Sequence, residues 1–201
     1  EYKATRQEAG SFLKLCYNPK LATKVTLQPI ARFDFDAAII FSDILVILQT
    51  LGVKLDFKEK IGPVIEEFSI DKIESYNLDN LTNDLQTVYN AIKLTREQLP
   101  QDKTLIGFAG APWTLLTYLI EGRGSKDFAI TKEFLLANKQ VAEQLINMLI
   151  EAIANHLNNQ IAAGADIVQI FDSWAAVLNE EQFYDWCILP TAKIIDKVKK
   201  Q

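Results

Sequence analysis

The sequence predicts an α/β fold built on a parallel sheet, and three observations carry that reading. Apolar runs of strand length stand at 37–41 (AAIIF), 104–109 (TLIGFA) and 166–171 (DIVQIF). They are nearly continuous rather than alternating, the pattern of strands buried on both faces. Segments with helical spacing separate them, and this alternation describes either an open doubly wound sheet or part of a (β/α)8 barrel.

The elements follow in order. After a polar opening, 19–32 carries Leu21, Val25 and Ile30 at roughly helical spacing. The first strand run comes next. The stretch 53–68, with Gly62 and Pro63, has no helical period and reads as an excursion, a small hairpin. Residues 81–99 place Leu85, Val88, Ile92 and Leu99 on one stripe of a single helix. Residues 129–163 hold the strongest pattern, with Val141, Leu145, Met148, Leu149 and Ala152 at steps of three and four, long enough for two helices broken near Asn138. Residues 180–200 read as two more helices, divided near Pro190 because proline interrupts a helix. Neither repeat nor linker interrupts the pattern, so 1–201 reads as one domain. A full barrel takes about 250 residues. With three strand runs, the expectation is an incomplete barrel, its N-terminal half to two-thirds, lacking the first strand region and the last strands.

Composition narrows the function. The 201 residues are 49% hydrophobic and 23% charged, too apolar for a disordered chain. Twenty-one basic against 26 acidic residues give a net charge of −5, which argues against a nucleic-acid-binding surface. No apolar run approaches the roughly 18 residues of a membrane span. Cys16 and Cys187 lie far apart without metal-ligand spacing, so the chain is expected to hold no metal and to work in a reduced, cytosolic compartment. No glycine-rich nucleotide fingerprint follows any strand run.

In parallel α/β folds, chemistry gathers beyond the carboxyl ends of the strands. Those positions hold Ser42 and Asp43, then Gly110 to Pro112 opening a helix that carries Tyr118, then Asp172, Ser173 and Trp174. Each has a structural alternative. Asp43, Asp172 and Ser173 equally suit helix caps, and Tyr118 suits a core position with a satisfied hydroxyl. The single histidine, His156, sits beside an apolar stripe and reads as a packing residue. The basic cluster 193–200 reads as a solvated helix end, and both cysteines as inert.

The residues themselves say more. The run Thr26-Leu-Gln-Pro29, followed by DAAIIFSDIL at 36–45, resembles the uroporphyrinogen decarboxylase family. So do IGFAGAPWTL at 106–115, YLIEG at 118–122, and GAD…QIFDSWA within 164–175, all in the family's order along most of the chain. The resemblance implies a single-domain (β/α)8 barrel, usually a homodimer, in the tetrapyrrole and heme route. Its members convert the four acetate side chains of uroporphyrinogen to methyls without metal or organic cofactor. The family's key aspartate falls on Asp43, accepting from the pyrrole N–H groups, and its tyrosine and serine fall on Tyr118 and Ser173, facing substrate carboxylates. Apolar walls fall on Ile39, Phe41, Phe108 and Phe171, with core packing as their structural alternative. The family's arginine-rich motif would end at Glu1 and Tyr2, so both of its arginines precede the chain, while Arg6 matches a further carboxylate-binding arginine. Its late histidine has no counterpart here and is not His156. Two alternatives stand beside this reading: a corrinoid-linked methyltransferase of the same superfamily, which uses a zinc site, and a non-catalytic tetrapyrrole-binding barrel.

Overall fold

A computed structural model of the chain describes residues 1–58, 61–65, 69, 71 and 78–199. Helices α1 (Tyr2–Ala9) and α2 (Phe12–Cys16) lead into α3 (Pro19–Phe33). Asn18 caps α3 by accepting from Leu21 N–H at 3.1 Å, and Pro19 stands in its first turn, where its missing N–H costs nothing. Strand β1 (Ala37–Ile39) follows, then the short helix α4 (Val46–Thr50) and the expected hairpin, β2 (Leu55–Lys58) with β3 (Gly62–Ile65). Phe68, the end of the predicted excursion, lies outside the described residues.

The predicted helix over 81–99 is divided in two, α5 (Leu81–Asp84) and α6 (Gln86–Gln98), joined at Leu85, whose fully buried side chain anchors the bend. Strand β4 (Thr104–Gly110) leads to α7 (Pro112–Glu121), which ends at Gly122 with φ 72°, a conformation glycine adopts at no steric cost. The break expected near Asn138 is present between α8 (Ala129–Ala137) and α9 (Lys139–Ala162), and α9 leads to β5 (Ile167–Phe171). The two helices expected over 180–200 are α10 (Glu180–Phe183) and α11 (Leu189–Lys197), divided by a π turn at Tyr184–Ile188 that ends just before Pro190. Pro190 stands in the first turn of α11, where a proline is tolerated. At the end of α11, Lys197 pairs with Glu151 at 2.8 Å, both side chains about half exposed.

The sheet is parallel in the order β1-β4-β5, with Ile39, Ile106 and Ile167 in one register row. The connections follow the sheet one strand at a time. Helix α3 packs on β1, α6 on β4, and α9 on β4 and β5, while α3 lies against α6 and α11 against α9. The sheet is wound in one direction, with no reversal of strand order among the described strands. The strands are not buried on both faces as the apolar runs suggested. Ala38, Leu105 and Ala109 are covered by helices, whereas Ile39 (46%), Ile167 (53%) and Phe171 (37%) are exposed on the opposite face. The helices form a single layer, so only one face of the sheet receives a cover. No described helix is long and apolar enough to cross a membrane.

The core between helices and sheet centres on Trp113, Leu115, Leu145, Leu149, Ile153 and Leu157. At the amino end of the strands, the Arg96 guanidinium donates to Asp166 at 2.8 Å and to the Lys103, Leu99 and Pro100 carbonyls, pinning the starts of β4 and β5. His156 is buried in α9, sharing a 3.0 Å hydrogen bond with the Tyr89 hydroxyl, and burial pulls its pKa down to about 3. It is a packing residue, as expected. The folded imidazole resists a proton that the unfolded chain accepts near pH 6.5. Its contribution to stability is therefore complete above that value and is lost as pH falls toward 3. Asp43, whose folded pKa is raised, acts in the opposite direction below about pH 6. Urea denaturation between pH 7 and 4.5 is expected to show a flatter acid loss in His156→Phe than in the parent, and equal slopes would refute the assignment.

Candidate active site at the strand mouth

Beyond Ile39 the chain leaves β1 and turns. Phe41 N–H donates to Thr26 Oγ1 of α3 at 2.9 Å, and Leu45 N–H donates to Asp43 Oδ1 at 2.8 Å. Asp43 does not cap α4, whose N-cap is Leu45 without a side-chain bond; one carboxylate oxygen instead closes a local turn before the helix. The carboxylate is largely desolvated, which raises its pKa to about 6 against a smaller lowering by the Leu45 hydrogen bond. Its charge reaches its neighbours, raising the pKa values of Cys16, Tyr17 and Tyr118. Beside it, Ser42 Oγ is buried without a partner among the described residues.

Tyr118 comes from α7 and is half-buried, packed against the Trp174 ring at 6.1 Å. Burial raises its pKa, the Trp174 indole lowers it, and Asp43 raises it further. Ser173 follows β5 and is exposed, in hydrogen-bond contact with neither Asp43 nor Tyr118. Asp172, one residue earlier, serves structure: Thr114 Oγ1 donates to Asp172 Oδ1 at 2.7 Å, and Trp113 Nε1 donates to the Trp174 carbonyl at 3.0 Å. The two bonds lock the exit of β5 onto the start of α7.

The four wall residues gather on the open face of the sheet. Ile39, Phe41 and Phe108 line one groove of about 510 Å³ together with Pro29, Ile30 and Ser42, and Phe108 meets Phe171 edge-on at 5.6 Å. Phe41 also joins an aromatic group with Tyr2 (5.7 Å) and Phe12 (5.8 Å), and Phe12 stacks on Phe57 of the hairpin at 4.4 Å. Arg6 is exposed with its guanidinium 5.6 Å from the Phe12 ring centre, so a cation stands at the lip of the same apolar wall. Tyr118 thus lies within reach of the Asp43 charge, and Arg6 stands on the Phe12 ring that packs against Phe41, while Ser173 is exposed.

Both cysteines are buried and inert. Burial and the nearby Asp43 charge push the Cys16 thiol up to about 12, and burial with Asp172 raises Cys187. Sequence reasoning missed Tyr17, which donates to Gln49 Oε1 at 2.8 Å within reach of the Asp43 charge. It also missed Gln160, a buried amide of α9 bonded to the backbone of Phe108. The only signal for Gln160 was a polar residue among apolar helical neighbours.

Known proteins agree with this architecture. Uroporphyrinogen decarboxylases of Rickettsia bellii and Rickettsia felis are each 50% identical to the chain, over 199 and 200 residues. The matches cover 99% and 100% of this chain and 58% of each relative, so the chain spans little more than half the length of these proteins. A solved methyltransferase from Methanosarcina mazei superposes with a TM-score of 0.80 over 98% of this chain and 59% of its own, at 19% identity, a likeness of fold alone. The model of the family described as uroporphyrinogen decarboxylase matches residues 1–201. A mouth carboxylate with aromatic walls, 50% identity to named members and a match along the whole chain lead to one statement: the chain belongs to the uroporphyrinogen decarboxylase family.

Proposed function

We propose that the protein to which this chain belongs decarboxylates the acetate side chains of uroporphyrinogen, giving the four methyls of coproporphyrinogen. The observation that carries the reading is the desolvated Asp43 carboxylate at the strand mouth, next to Ser42 at the end of an apolar groove that runs along β1. Loss of CO2 from a pyrrole acetate leaves an electron pair that needs a sink. Protonation of the pyrrole ring provides it: the C–CO2 bond breaks, CO2 departs, a proton adds to the methylene and the ring proton leaves. The carboxylate of Asp43 stabilises the ring cation and accepts from the pyrrole N–H groups. One acceptor serves four similar rings, because a macrocycle released and rotated presents the next.

In this reading Ile39, Phe41, Phe108 and Phe171 hold the apolar faces of the macrocycle, while Tyr118, Ser173 and Arg6 meet its carboxylates. The sheet is one wall of a (β/α)8 barrel, the protein is a cytoplasmic homodimer, and the reaction runs without metal or organic cofactor. The one-directional winding of the sheet supports barrel closure.

Ionised Asp43 is the working form, so kcat/KM is expected to rise with pH along an acidic limb near pH 6 and then level. The test is an anaerobic assay of the protein from its complete reading frame, with chelator in excess. Turnover is expected to persist. Activity lost to chelator and restored by zinc would transfer the protein to the methyltransferase branch, and a flat profile from pH 5 to 8 would remove Asp43 from the chemistry.

A further inference from the structure

The sheet splits at the mouth, and two helices hold the split open. Leu105 of β4 and Ala111 just beyond it direct their backbone groups toward β5: the Leu105 carbonyl accepts from Asp166 N–H at 2.9 Å, and Ala111 N–H donates to the Phe171 carbonyl at 2.8 Å. Thr104 and Ile106 face β1 instead, with Thr104 N–H on the Asp36 carbonyl (3.0 Å) and the Ile106 carbonyl accepting from Ile40 N–H (2.9 Å). By the alternation of a strand, Phe108 also faces the β1 side. There β1 has already ended: by the same alternation Ser42 N–H would be the next to reach β4, while Phe41 N–H, on the side away from β4, is held by Thr26.

Gln160 fills the vacated place. Its Nε2 donates to the Phe108 carbonyl at 2.7 Å, and its Oε1 accepts from Phe108 N–H at 2.8 Å. The side-chain amide is a peptide group in miniature and replaces the missing strand on both counts. Gln160 is 1% exposed, so neither half of the pair has water as an alternative. Its path requires Gly107, where an added Cβ would overlap the Gln160 amide oxygen and press on Ala165.

We propose that Gln160 is a positioning residue of the candidate site: with Thr26 on the opposite lip, it holds the gap between β1 and β4 through which 41–43 turns, and it fixes Phe108 in the substrate wall. This rests on the functional reading above, and the test separates the two. In the protein from its complete reading frame, Gln160→Leu removes both bonds, and Gly107→Ala displaces the amide without changing it. Hydrogen exchange at Phe108 N–H is expected to accelerate at least about tenfold in each, while Ala109 N–H, on the β5 side, stays protected.

Uroporphyrin, the oxidised macrocycle, serves as a binding probe by fluorescence. Its Kd and the KM for uroporphyrinogen are expected to rise roughly tenfold or more, with kcat changed far less, because a wall moves and the Asp43 charge does not. Unchanged Phe108 exchange would overturn the clamp. Faster exchange with unchanged uroporphyrin Kd would reduce Gln160 to a structural role. A parent protein that binds uroporphyrin but lacks turnover would refute the proposed reaction, and the exchange and Kd comparisons would still decide the positioning role.

Discussion

Asp43→Asn is expected to lower kcat by about 10²–10³-fold, the usual cost of removing one preorganised electrostatic group. The substitution isolates charge. Asparagine keeps a carbonyl oxygen that can accept from Leu45 N–H, so the turn after β1 survives. Side-chain volume is also preserved, so the packing of Leu45 to Leu48 beneath it is untouched. Only the negative charge opposite a pyrrole cation is lost. The acidic limb near pH 6 should disappear from the residual activity as well. Turnover measured beside thermal unfolding decides the matter: near-normal kcat in a stable Asn variant would leave Asp43 as a turn residue only.

Trp113→Ala should be among the most damaging core substitutions, costing about 3–5 kcal/mol of stability. Trp113 is fully buried near the start of α7, and its indole N–H donates to the Trp174 carbonyl. Truncation opens a cavity and frees the loop that carries Ser173. Trp113→Phe separates the two effects. It retains much of the ring volume but removes the indole donor from the Trp174 carbonyl, which keeps a longer bond from Val177 N–H at 3.4 Å, at about 0.5–1.5 kcal/mol. Urea denaturation of both variants is the measurement. If Ala and Phe cost the same, the hydrogen bond and not the packed ring would dominate; an Ala loss under about 1 kcal/mol would contradict the cavity argument altogether.

Strand positions were legible in the sequence because β-branched and aromatic runs favour extended backbone, although those runs overstated the burial of one face. The break at Asn138 was legible because 129–163 exceeds an ordinary helix length. The division near Pro190 was legible because a proline cannot donate within a helix, and it stands in the first turn of α11 directly after the π turn at Tyr184–Ile188. The bend at Leu85 left no mark, since a buried leucine keeps the apolar stripe whether the helix is straight or jointed.

Asp43, Tyr118 and the wall residues could be nominated because strand-end position and motif context are local properties. The sequence by itself determined the alternation of strands and helices along the chain, the apolar character of the mouth, and the family. Only the tertiary structure decided the strand order, which face of the sheet is open, that Asp43 is desolvated enough to titrate near pH 6, and that Ser173 is exposed. It alone revealed Gln160 completing the ladder at Phe108, 52 residues away in sequence. The reason is physical: periodicity encodes which residues are buried, whereas desolvation and a borrowed hydrogen bond depend on which distant groups a buried residue meets.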